Sequence, residues 1–182
     1  MIVRRRSVRV HRVAFAFGAL TLGMGLAPNA LAQTTSNSAA AQALFEQAPT
    51  LMAQGRPAEA CPKLEESQRL DPGSGTLLNL ARCYEQAGRL ASAWNQYLEA
   101  AAAARSAGNK ERESEARKRA EALRPRLPSL LIAVSAEARA IPGLEVLRDG
   151  QLVGAPQLGV PIPSDAGEHT LEARAPGRVS KH

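Results

Sequence analysis

The sequence predicts an α+β chain in two parts, helical hairpin repeats followed by a small antiparallel β-sandwich, and three observations carry that expectation. Residues 39–123 are rich in Ala, Leu, Glu, Gln and Arg, all good helix formers, and breaks at Gly55-Arg56-Pro57, Asp71-Pro72-Gly73, Gly88-Arg89 and Gly108-Asn109 divide them into segments of about 14 to 18 residues. Gly55-Arg56 returns as Gly88-Arg89 and Ala60 as Ala93, each 33 residues on, a period at which helical pairs stack. Beyond Pro125 short β-prone runs alternate with Pro, Gly and Asp, the texture of strands and turns.

Taken in order, residues 1–32 read as an export signal. Arg4, Arg5, Arg6, Arg9 and Arg12 form a positive start without an acid, and residues 13–26 are an apolar run of about 14, short of the roughly 20 that a membrane span needs. Ala30-Leu31-Ala32 is a small-x-small cleavage pattern, so cleavage between Ala32 and Gln33 is expected, and no cysteine follows it to carry a lipid. The formal charge of +6 belongs to this segment: without its five arginines, 18 Lys+Arg face 17 Asp+Glu. A net of +1 is no basic footprint for phosphate, so a nucleic-acid partner is not expected. The expected product is periplasmic, secreted or on the cell surface, without a stable membrane span.

Residues 33–38 (QTTSNS) read as a disordered leader, and residues 39–124 as helical repeats ending in a capping helix from about Asn109 to Leu123. In that helix Glu113 with Arg117 and Glu115 with Arg119 stand at favourable i,i+4 spacing, and Ala116, Ala120 and Leu123 make its apolar stripe. Residues 125–128 form a linker to a β-domain over 129–182.

Within the helical part, LLNLARCYEQAGRLASAWNQYLEA resembles the tetratricopeptide repeat through Leu77, Leu80, Ala81, Tyr84, Gly88, Ala93, Tyr97 and Ala100. A first unit matches through Leu44, Ala48, Leu51, Gly55, Ala60, Leu64 and Pro72, and the two cover residues 41 to about 105. Small residues let such helices approach closely and larger ones fill the grooves between them. The resemblance implies a concave groove, lined by the first helix of each pair, that holds a peptide of another protein. By position it assigns Asn79, Arg82, Glu85 and Gln86 to that groove in the second unit, and Gln42, Phe45, Glu46 and Met52 in the first. Asn79 matches a position where family members hold a peptide backbone or carboxylate. Pro49, in the middle of the first helix, is expected to kink it and distort the first-unit groove. The same architecture sets the helices bearing Cys61 and Cys83 side by side, so an exported chain is expected to bridge them; buried free thiols are the alternative.

In the β-part, LEVLRDGQLV places two β-prone runs around Asp149-Gly150, a hairpin signal, and EHTLEARA alternates polar and apolar residues like a half-buried strand. Residues 130–134 read as a further β-prone run. With Gly159-x-Pro161 and Gly167-x-His169, residues 129–178 resemble the PEGA domain, a small surface-associated β-sandwich. Four expected strands in about 50 residues leave a thin core and an unpaired edge that invites association, to be covered by a further strand, by the helices or by a partner.

Motifs for chemistry are missing. There is no metal-ligand spacing, nucleophile elbow, phosphate loop or dinucleotide fingerprint, so neither an enzyme nor a cofactor is expected. His169 falls on the last expected strand with Glu168 on the opposite face, leaving it without a local acid–base partner. The two resemblances together imply a non-catalytic interaction or scaffold protein of the bacterial cell envelope that holds an envelope protein in its helical groove. The alternative is a structural or cell-wall-associated protein in which the β-domain binds and the helices oligomerise.

Overall fold

A computed structural model of the chain describes residues 29–178, with side chains from Ser36 onward. Five helices come first: α1 (Asn29–Ala53), α2 (Pro57–Leu70), α3 (Ser74–Gln86), α4 (Leu90–Ser106) and α5 (Lys110–Leu123). A 3-10 turn at Arg124–Arg126 leads to β1 (Ser129–Leu130), a one-turn helix α6 (Ala136–Arg139), β2 (Glu145–Arg148), β3 (Gln151–Leu152), β4 (Ile162–Pro163) and β5 (Leu171–Arg174). The fold is therefore α+β, helices first and small antiparallel sheets after, as the composition change near Pro125 requires. Among the described residues no helix is long and apolar enough to cross a membrane.

The helix ends are written in glycine. At Gly88 the backbone turns left-handed (φ 75°), a conformation without steric cost only when Cβ is absent. Gly88 N then donates to Glu85 O at 3.1 Å and Arg89 N to Tyr84 O at 2.8 Å, satisfying carbonyls that the end of α3 leaves unpaired. The same pair of bonds closes α1 at Gly55 and α4 at Gly108. Three like turns thus join α1 to α2, α3 to α4 and α4 to α5, and each of these pairs packs as neighbours.

The helical core is made by alternating very small and large residues. Ala60, Ala81, Ala93, Ala100 and Ala116 are fully buried at close approaches, with Leu64, Leu77, Tyr84, Tyr97 and Leu123 in the spaces between. Ser67 is buried with its hydroxyl donating to Ala41 O at 2.9 Å, tying α2 to α1. Cys61 on α2 and Cys83 on α3 lie at disulfide distance, their Cα atoms 5.6 Å apart.

The β-part is thinner. β1 pairs with β4, and β3-β2-β5 form a three-stranded antiparallel sheet. Asp149 (φ 51°) and Gly150 (φ 77°) both turn left-handed between β2 and β3, the two-residue hairpin expected from Asp-Gly. The core of this part is Ile132, Val146 and Val153, flanked by partly buried Leu130, Val134, Leu144 and Leu158.

Several expectations are corrected. The segment of the expected leader, residues 33–38, is helical, because α1 starts at Asn29 and nothing in QTTSNS breaks it; once a helix runs, each further residue adds a hydrogen bond. The expected start and apolar run of the export signal lie outside the described residues. Pro49 lies exposed within α1, and the helix runs on past it to Ala53. The run at 130–134 contributes only Leu130 to a strand; Ile132 is instead held by one bond, Gly159 N to Ile132 O at 2.8 Å. The last strand is four residues long, and its alternation does not bury a face: Leu171 is exposed because its side of the sheet opens on a hollow. Finally, Glu115 and Arg119 do not pair along α5; they cross to α3, Glu115 to Arg82 and Arg119 to Glu85 (3.8 Å), because α5 packs beside α3.

Candidate functional site

Because α1, α3 and α5 lie on one side of α2 and α4, their facing residues bound a concave hollow of about 370 Å³. Phe45 enters from α1, Gly75, Leu78, Asn79 and Arg82 from α3, and Asn109, Glu111, Arg112 and Glu115 from the start of α5. Gly75 has no side chain, which leaves the α3 wall open where the Arg112 guanidinium lies across it.

The polar groups of the hollow are fixed by one another. Asn109 caps α5, its side-chain oxygen accepting from Arg112 N at 3.0 Å. Arg112 Nη1 donates to Ser74 Oγ at 2.9 Å, and Arg82 donates to Asn79 Oδ1 at 3.3 Å and to Glu115. Two guanidinium groups and the carboxylates of Glu111 and Glu115 therefore share the lining, and their charges balance. Arg82 Nε is buried and has no acceptor among the described residues. A wall of fixed donors and acceptors with no net charge suits a neutral polar chain better than a free anion.

Each residue assigned from the repeat has a definite place. Asn79, Arg82 and Phe45 line the hollow together. Gln42 lines a smaller neighbouring hollow of about 150 Å³ with Phe45, Ser67 and Thr76, and donates to Glu46 at 2.7 Å on the exposed side of α1. Glu85 and Gln86 line neither. Glu85 accepts from the buried Tyr97 hydroxyl at 2.8 Å, and Gln86 Nε2 donates to Met52 O at 2.9 Å, closing the end of α1. Burial, and then the Glu85 carboxylate, push the Tyr97 hydroxyl above its ordinary range. In the same way Tyr84, buried and donating to Glu65 at 2.7 Å, is raised to about 12, while Arg89 stacks 4.1 Å over its ring.

No protein-family model matches the chain, and comparison with curated proteins finds no relative. The reading of the site rests on its geometry.

Sequence reasoning missed the α5 contribution: Asn109, Glu111, Arg112 and Glu115. The signal was present in the third glycine turn, Gly108-Asn109, which turns the chain so that the start of α5 reaches α3.

A second polar cluster lies where α4 meets the β-part, around a cleft of about 270 Å³. Asp165 accepts from Ser92 N at 2.9 Å and from Ser92 Oγ at 2.5 Å, and Arg89 Nε reaches it at 3.4 Å. Burial alone raises the Asp165 carboxyl, but the hydrogen bonds from Ser92, Ala91 and Arg89 outweigh it and hold the group below its ordinary value. His169 does have an acid partner, contrary to the sequence expectation: Nδ1 meets Asp149 Oδ2 at 2.7 Å and Nε2 meets Asp165 O at 2.9 Å. The pairing of β2 with β5 brings Asp149 there from 20 residues away. Both neighbours are acceptors, so the doubly protonated ring is favoured, and its pKa is raised, first by Asp149 and then by the Asp165 carbonyl. With both nitrogens engaged, His169 has none left to take a proton from a substrate. Among the described residues no group of three His, Cys, Asp or Glu could hold a metal ion.

Proposed function

We propose that this chain is an exported, non-catalytic scaffold of the bacterial cell envelope that holds an extended peptide segment of another envelope protein in the hollow between α1, α3 and α5. The observation that carries the reading is the convergence of Asn79, Arg82, Asn109 and Arg112, from two helices, on one concave wall beside the apolar Phe45 and Leu78. A peptide backbone has alternating donors and acceptors, which such a wall matches.

Antiparallel helices of 13 to 17 residues from α2 to α5, joined by left-handed glycine turns, support the tetratricopeptide reading. The hairpin at Asp149-Gly150 supports a PEGA-like β-part that holds the array in place. The export signal and the cysteine pair support an oxidising compartment.

The test is a cross-linked capture from envelope extract with the full chain and with the variant carrying Asn79→Ala and Arg82→Ala, both checked for intact helix content. A partner peptide captured by the first and lost with the second supports the groove. Equal capture by both overturns it and moves binding to the β-part. Edman sequencing of the protein recovered from the envelope is expected to begin at Gln33.

A further inference from the structure

We propose that the open edge of β5 is a self-association surface, at which a second copy of the chain adds its own β5 antiparallel and makes one six-stranded sheet in the order β3-β2-β5-β5-β2-β3. The central strand β2 sends its hydrogen bonds out alternately. Val146 accepts from Val153 on the β3 side, while Asp149 donates to Thr170 O on the β5 side. By the antiparallel alternation, Glu172 and Arg174 direct their backbone groups at β2, and Leu171 and Ala173 direct theirs away from it. No strand among the described residues takes up that edge.

Its two faces differ in chemistry. Leu171, Ala173 and Ala175 share the face of Val146, beside a hollow of about 500 Å³ lined by Ile132, Val134 and Leu144. Leu171 is 40% exposed there, next to the buried cluster of Ile132, Val146 and Val153. Glu172 and Arg174 share the other face. An unpaired edge beside uncovered apolar surface is unstable as a monomer surface and is relieved by one more strand.

Charge selects the occupant and the register. If the two strands cross at Ala173, Ala173 faces Ala173 and Leu171 faces Ala175 on the apolar side. On the other side each Glu172 then faces Arg174 of the second copy, in the closer, non-hydrogen-bonded pairs. Crossing at Glu172 instead would set two carboxylates opposite one another. A β5 strand is thus complementary to itself in one register, and the contact is closed and two-fold, as homodimer interfaces are.

The experiment is sedimentation of the full chain across a concentration series, with amide exchange read at Leu171 and Ala173. The expected result is a doubling of the single-chain mass as concentration rises, with slower exchange at those two amides. Glu172→Arg is expected to weaken the dimer by roughly tenfold, since both facing pairs become repulsive. A chain with Glu145→Arg and Arg174→Glu keeps its own β2–β5 ion pair reversed and is weakened likewise. Mixing these two weakened variants restores a dimer, because the arginine introduced into one copy then faces the glutamate introduced into the other. The proposal is overturned by a mass that stays at one copy with concentration-independent exchange, or by a dimer indifferent to Glu172→Arg.

Discussion

Asp165 caps α4 from far along the chain: its carboxylate accepts from Ser92 N at 2.9 Å and from Ser92 Oγ at 2.5 Å, in the first turn of that helix and 73 residues before it. That turn has no acidic residue of its own, and Arg89 at the cap position offers no side-chain acceptor. The β-part therefore supplies the negative charge that the positive end of α4 lacks locally, and the two halves of the chain are joined through it.

Asp165→Ala is expected to destabilise the chain by about 1–2 kcal/mol at pH 7, in the range of a lost helix cap. Because the folded-state pKa of Asp165 lies below its ordinary 3.8, the stabilisation is present above that value and is lost as pH falls through the lower, folded one. Urea unfolding of native and variant chains should converge at the acid end of the series. A constant difference down to the lowest pH would show that the carboxylate charge is not what acts.

His169 has the opposite sign. Its raised pKa makes the charged ring a stabiliser that is fully present below the ordinary 6.5 and lost as pH rises through the folded value. His169→Gln should remove this decline, so native and variant melting temperatures differ most at mildly acid pH and approach one another in alkali. Thermal unfolding at several pH values checks it.

Cys61 and Cys83, at disulfide distance, are 22 residues apart in sequence, and a bond between them would close that loop. Replacing both by alanine, or reducing the pair, is expected to cost about 3 kcal/mol, read as a lower denaturant midpoint. Mass spectrometry of the unreduced chain after alkylation should show no labelled cysteine.

Gly88→Ala tests the turn between α3 and α4. Nothing lies within 4 Å of the added Cβ, so the cost is that of the left-handed backbone alone, about 1 kcal/mol. Gly88→Asn should cost less, since asparagine tolerates that conformation. Equal stability of all three chains would mean that the turn relaxes into another form.

The parts of the fold that were legible in the sequence are those decided over a few residues. Gly55, Gly88 and Gly108 mark helix ends because a left-handed turn needs glycine, and Asp149-Gly150 marks a hairpin for the same reason. The cysteine pair followed once the helices bearing it were taken as neighbours. Of the hollow's lining, Asn79, Arg82 and Phe45 were among the residues that the tetratricopeptide resemblance singled out, whereas Arg112 and Glu115 were not, because α5 was taken for a solvated cap. Glu115 has Arg119 at favourable spacing on its own helix, yet it pairs with Arg82: a helix surface offers both partners, and only packing decides which is nearer.

The sequence by itself determined the order of elements, the glycine turns and the alanine-for-leucine alternation of the helical core, since each depends on local backbone sterics and side-chain volume. The tertiary structure alone decided that Asp165 caps α4 and that Asp149 and His169 meet. Those pairings join residues that are 20 to 73 positions apart in the chain. Their energies exist only after the chain has closed the loops between them, so no local pattern can record them.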